Sequence, residues 1–224
     1  FMVMTYFTSD FAQFFKDLAA NNHKEWFDEN RKRYEKEVKE PFKKLVEDLI
    51  LAIRKEEPEL LVEAKDCIFR INRDIRFSKD KTPYKTNVSA VIAPGGRKDM
   101  SNPGMYIELG PEKLAVYGGL YQPDKILLKE VRWHIAEDTE AFKKAYTDKN
   151  FVKHYGSIHG EQNKRLDKDF VEVAEKEPLL YNKQFYYYEH IPATIYTSDK
   201  LLETILESYK ASAPVKEFLR NAVA

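Results

Sequence analysis

Residues 86–119 read TNVSAVIAPGGRKDMSNPGMYIELGPEKLAVYGG, and this stretch decides the fold class. Short runs rich in β-branched and aromatic residues alternate here with Pro-Gly, Gly-Gly and Asn-Pro-Gly punctuation. Runs of that length and composition are antiparallel strands joined by hairpins. CIFRINRDIRF, residues 67–77, reads as a further strand ahead of them. Pro103-Gly104 suits a type II turn, since Pro fixes the first central residue and Gly accepts the positive φ of the second. Gly118 and Gly119 close the last run, and paired glycines at a strand end predict a bulge or a close backbone approach.

Outward from this zone the period changes to that of helices. Phe11, Phe14, Phe15 and Leu18 share one helical face, with Thr8 or Ser9 as the expected cap. Asn22 followed by Glu25 resembles a capping box that opens a second helix. That helix carries Phe27, Tyr34, Val38, Phe42, Leu45, Leu49 and Ile53, and Pro41 predicts a kink or break near residues 37–41. Beyond residue 120, Leu127, Val131, His134 and Ile135 mark another helix, with Glu130 and His134 placed for an i,i+4 ion pair. Shorter helices are expected over 138–155, a strand over 184–191 (QFYYYEHI), and two closing helices through Leu201–Tyr209 and Val215–Ala222. Residues 156–183 are too polar and irregular to assign. Helices, then strands, then helices imply an α+β fold, a central antiparallel sheet flanked by N-terminal and C-terminal helices. No linker divides the chain, so residues 1–224 read as a single domain: helices over about 8–56, strands over about 65–120, and a mostly helical part over about 123–224.

The 224 residues carry 43% hydrophobic and 13% aromatic content, enough for a sizeable core, and the net charge is zero. Zero net charge disfavours a general nucleic-acid binder, whose footprint is a broad basic face. Cys67 is the only cysteine, which excludes an intrachain disulfide and suits a reducing compartment, the cytoplasm. The absence of an 18-residue apolar run and of a signal-peptide pattern in FMVMTYFTSD argues against a membrane span or export.

Within this neutral chain the charge is unevenly spread. Residues 70–85 hold Arg70, Arg73, Arg76, Lys79, Lys81 and Lys85 against Asp74 and Asp80, so the stretch is +4 and the remainder −4. Read as a strand, Cys67, Phe69, Ile71, Arg73, Ile75 and Phe77 face the core, while Ile68, Arg70, Asn72, Asp74 and Arg76 face outward. A core-facing Arg73 needs carbonyls, a carboxylate or a bound anion for its five donors, and Glu25 or Asp28 of the second helix are candidates. The outward Arg70 and Arg76 forks could grip a phosphate or carboxylate, with Asp74 orienting one of them. The loop SKDKTPYK then adds Lys79, Lys81 and Lys85 as point charges, Ser78 and Thr82 as hydroxyls, and Tyr84 as an aromatic wall. The ligand-binding set is therefore Arg70, Arg73, Asp74, Arg76, Lys79, Lys81, Tyr84 and Lys85. The competing reading is a cross-strand ion-pair network with a structural purpose.

The combination of LAANNHKEWFDENRKRYE, FRINRDIRFSKDKTPYKT, GMYIELG with LAVYGGLYQPD, and LLKEVRWHI resembles the bacterial family called domain of unknown function 2461, over about residues 10–220. RDIRFSKDKTPYK is the most specific part of the likeness. The resemblance implies a bacterial cytosolic protein and supports treating residues 70–85, Asp80 included, as one unit. It carries over no catalytic residue.

The remaining candidates are weaker. His154, His159 and Glu161 lie close in sequence, but not at the spacing of a helical metal site, so no metal is expected. No GxSxG, Walker loop or dinucleotide fingerprint is present, so neither a cofactor nor a catalytic set is assigned. Tyr186, Tyr187 and Tyr188 alternate as half core and half interface rather than as a nucleic-acid platform. Two functions remain: a cytosolic protein binding a small phosphorylated or carboxylated ligand, with or without chemistry on it, and a non-catalytic interaction module whose basic loop meets an acidic partner. Oligomeric state is open at this stage.

Overall fold

The structure, a computed structural model, describes residues 4–224. Its four strands, β1 (Val88–Ile92), β2 (Met105–Leu109), β3 (Lys113–Leu120) and β4 (Phe185–Pro192), form one antiparallel sheet in the order β1-β2-β3-β4. Helices precede and follow the strands, so the α+β architecture read from residues 86–119 is the architecture of the protein.

The chain gathers into two compact units. The first holds residues up to Arg97 with Tyr106–Val116 and His190–Leu206. Its N-terminal part comprises α1 (Asp10–Ala20), α2 (Lys24–Glu29), α3 (Arg31–Tyr34), a π-helical turn over Glu35–Lys39 and α4 (Glu40–Arg54). Phe11, Phe14, Phe15 and Leu18 are all buried, as their helical spacing requires. The interruption expected near residues 37–41 is the π turn, with Pro41 in the first turn of α4, where a missing N–H costs least. The Thr8 hydroxyl accepts from Asp10 N–H at 3.2 Å at the start of α1. The capping box expected at Asn22 does not form. His23 is the cap, its ring accepting from Trp26 N–H, and Asn22 instead exchanges two bonds with the backbone of Tyr84, at 2.9 and 3.1 Å. A true capping box appears at Glu63 and Asp66, opening α5 (Ala64–Cys67).

The second unit holds Lys98–Met105, Tyr117–Glu189 and Glu207–Ala224. It contains α6 (Lys125–Glu137), α7 (Thr139–Tyr146), α8 (Lys149–Tyr155), α9 (Lys168–Ala174), a 3-10 turn over Pro178–Tyr181 and α11 (Ala213–Val223), while α10 (Leu201–Ala211) begins in the first unit. Asp124, Asp138 and Asp148 cap α6, α7 and α8 through their carboxylates. The core gathers Val131, Ile135, Phe142, Phe151, Phe185 and Tyr187. Gly118 and Gly119 make the close approach expected of them. A Cβ on Gly118 would lie 2.5 Å from the Tyr187 ring, and one on Gly119, at φ +88, would lie 2.1 Å from the Phe185 carbonyl oxygen. Gly104 does not take the positive φ of a type II turn; the Pro103 carbonyl is held by Arg220 Nε at 2.7 Å instead. His134 packs against the Phe218 ring, centroids 4.7 Å apart, rather than pairing with Glu130.

Candidate functional site

Residues 67–77 do not form the regular strand that their alternation suggested. Ile68 and Asn72 make isolated antiparallel bridges to Ala90 and Tyr84, and the backbone between them bonds intermittently. Phe69 N–H donates to the Ser89 carbonyl, Arg73 N–H to the Pro83 carbonyl and Lys85 N–H to the Ile71 carbonyl. Pro83 has no N–H to return to the facing segment, so the ladder breaks where it would otherwise close. The side-chain alternation survives regardless. Ile71, Arg73 and Ile75 are partly buried, while Arg70, Asn72, Asp74 and Arg76 are exposed. Phe77 departs from the pattern and stands 95% exposed.

Arg73 is the organising group of the segment. Its Nη1 donates to the Thr82 carbonyl and hydroxyl, both at 2.8 Å, and to the Asp80 carbonyl at 3.3 Å, while Nη2 reaches the Ser78 hydroxyl at 3.4 Å. The Asp80 carboxylate lies 3.2 Å from Nη1 and also accepts from Thr82 N–H at 2.9 Å. The donors of the core-facing guanidinium thus meet the loop that follows it, and not Glu25 or Asp28. A fork on several acceptors of one loop fixes its shape far better than a single bond. Lys81 adds a bond from Nζ to the Ile75 carbonyl at 2.7 Å.

The other guanidiniums differ from Arg73. Arg76 makes a bidentate pair with Asp74, 3.0 Å from Nε and 2.7 Å from Nη2, in an exposed setting that lends little stability. Arg70 is exposed, and its guanidinium makes no hydrogen bond or ion pair among the described residues, although its charge helps to lower the Asp74 carboxyl; the Lys79 ammonium likewise makes none. Lys85 lies beside Arg70, with Nζ donating to the Arg70 carbonyl at 2.8 Å and standing 5.5 Å from the centre of the Phe69 ring. Burial, and then the Arg70 charge, hold its ammonium below the usual lysine range, with Glu108 pulling the other way. Glu108 itself accepts from the Tyr106 hydroxyl at 2.8 Å, and the Tyr106 ring meets Phe69 edge-on at 6.2 Å. Tyr84 is buried, its ring stacked on Phe27 at 4.2 Å and its N–H held by Asn22.

The sequence brought Arg73, Asp80, Thr82, Ser78 and Lys81 to one loop, and Arg70 to Lys85. It did not reveal Phe69, Tyr106 and Glu108 as neighbours of Lys85, because Tyr106 and Glu108 reach it only through the tertiary fold. Nor did it reveal the exposure of Phe77, although the polar run SKDK directly after it marks a solvent-facing loop.

Elsewhere, His154 bonds Glu189 at 2.6 Å through Nδ1, and the His159 ring contacts both Tyr186 and Tyr188, with centroids 5.8 and 5.0 Å away. Among the described residues no group of three His, Cys, Asp or Glu side chains gathers as metal ligands do, and no helix is long and apolar enough to cross a membrane. Burial pushes the Cys67 thiol up to about 11, which makes it a core side chain rather than a nucleophile.

No curated protein and no solved structure matches the chain. The sequence model of a family described as conserved hypothetical protein (DUF2461) matches residues 10–218, nearly the whole chain, and the protein belongs to that family.

Proposed function

We propose that the protein is a cytosolic binding protein for a small phosphorylated or carboxylated ligand, and that Arg70 and Lys85 are the groups that hold the anion. The observation that supports this reading is the Lys85 ammonium bonded to the carbonyl of Arg70, which brings a second cation to the Arg70 backbone, with no carboxylate in ion-pair contact with either side chain among the described residues. Holding Lys85 half-buried beside Arg70 costs electrostatic energy, and an anion bound between them returns it. Arg70 supplies a planar fork for two oxygens, Lys85 a point charge, and the Phe69 and Tyr106 rings an apolar border.

Arg73, Asp74, Arg76 and Asp80 then act as scaffold, because their charged groups already meet one another or the loop backbone. Tyr84 supports the segment from the core. This division favours the structural-network reading for those residues and the ligand reading for Arg70 and Lys85. It calls for no catalytic group.

The test is titration of the purified protein at low salt with inorganic phosphate, citrate and a sugar phosphate, read by calorimetry and thermal shift. Saturable binding that falls about tenfold or more in both Arg70→Ala and Lys85→Met, and not in Arg76→Ala, is the expected result. Equal binding by all four proteins, or none by the parent, would overturn the reading.

A further inference from the structure

Two loops of the first unit are built alike and carry opposite charge. In the first, residues 56–63 (EEPELLVE), the Arg54 fork donates to the carbonyls of Leu60 at 2.7 Å and Val62 at 3.0 Å. Leu60 and Val62 are buried, and the residue between them, Leu61, is thrust outward at 79% exposure. The loop contains Glu56, Glu57, Glu59 and Glu63 and no cation, and Glu56 and Glu59 are exposed with no ion-pair partner among the described residues. In the second, residues 75–82, the Arg73 fork fixes the backbone and Phe77 stands free. The Arg76 guanidinium is 5.7 Å from the centre of the Phe77 ring, and the loop also carries Lys79 and Lys81 against the single acid Asp80.

An arginine that pins a loop from within holds the outward side chain in place, so each loop presents one large apolar group preorganised for contact. A lone exposed apolar residue is ordinary. Two of them, each on a pinned loop and the two loops of opposite net charge, form a complementary set. We propose that the partner of each loop is the other loop on a second copy of this chain. Phe77 of one copy sits among the glutamates and Leu61 of its mate, and the same contact repeats about a two-fold axis. Such an isologous pairing requires self-complementarity, which a loop of net charge +2 over residues 75–82 and one of net charge −4 over residues 56–63 supply. The contact is small and charge-steered, so it forms a reversible dimer weakened by salt. This inference does not depend on the ligand reading, since it uses neither Arg70 nor Lys85.

Sedimentation of the full chain over a range of concentrations, at low and high salt, tests it. The expected result is a monomer–dimer equilibrium whose dissociation constant rises about tenfold or more at high salt. Phe77→Ser and Leu61→Ser should each weaken the dimer by a similar factor, with far-UV circular dichroism unchanged because both side chains face solvent. Lys79→Glu and Glu59→Lys should each dissociate it alone, and the two variants mixed should pair with each other, since both contacts of the mixed dimer again join opposite charges. A monomer under all conditions, a dimer indifferent to Phe77→Ser and Leu61→Ser, or variants that fail to pair on mixing would overturn the proposal.

Discussion

The basic segment of residues 69–85 and the glycine pair of β3 both place backbone where a regular ladder is unavailable or crowded, and they do so by opposite means. In the basic segment the ladder fails at Pro83, and side chains from Arg73, Lys81 and Lys85 reach across to the carbonyls of Thr82, Ile75 and Arg70. At Gly118 and Gly119 the backbone approaches so closely that no side chain fits, and the space goes to the Tyr187 ring and the Phe185 carbonyl. One region adds long cationic side chains; the other removes side chains altogether. The difference teaches that charge in this protein is first a device for holding an irregular backbone, and that only charges left over from that task are open to outside partners.

The largest expected effect breaks the glycine side of this comparison. Gly119→Ala combines a positive φ with a carbonyl in the place of the new methyl, so unfolding in urea should show a loss of roughly 3 kcal/mol or more. Arg73→Met should come next, at about 1–3 kcal/mol, because it leaves the part-buried Thr82 carbonyl and hydroxyl without their donor. Hydrogen exchange should locate the lost protection in residues 73–85 and leave the glycine pair unaffected. A uniform loss across the chain would contradict the local role given to Arg73.

Acid titration sharpens the same contrast. The backbone and side-chain hydrogen bonds from Thr82, and then the Arg73 charge, hold the Asp80 carboxyl below its ordinary 3.8. A depressed carboxyl contributes its stabilisation above 3.8 and loses it as pH falls through the lower folded value. The Thr82 amide resonance should therefore titrate with a midpoint below 3.8 in the parent and not in Asp80→Asn, while the Gly119 amide stays flat. The smallest effect belongs to Arg76→Ala, whose exposed pair with Asp74 should leave the urea unfolding midpoint unchanged. A loss as large as that of Arg73→Met would show that outward forks also carry the loop.

Period and punctuation sufficed for much of this molecule. The Phe11–Leu18 face, the interruption before Pro41, the strands within residues 88–120 and near 185–191, and the tight approach at Gly118-Gly119 all follow from local rules, because apolar spacing and missing Cβ atoms act within a few residues. The sequence also marked residues 70–85 as the place where charge concentrates. Three things it could not assign. Asn22 serves Tyr84 rather than its own helix, since a partner 62 residues away outcompetes a local cap. Residues 67–77 keep strand-like alternation without a strand, since the ladder depends on Pro83 in the facing segment. The destinations of the Arg70, Arg73 and Arg76 guanidiniums, one without a hydrogen bond or ion pair among the described residues, one turned inward and one paired on the surface, were settled by which carbonyls and carboxylates folding brought within reach. A guanidinium on a long flexible stem has several nearby acceptors in any sequence, and only the assembled backbone selects among them.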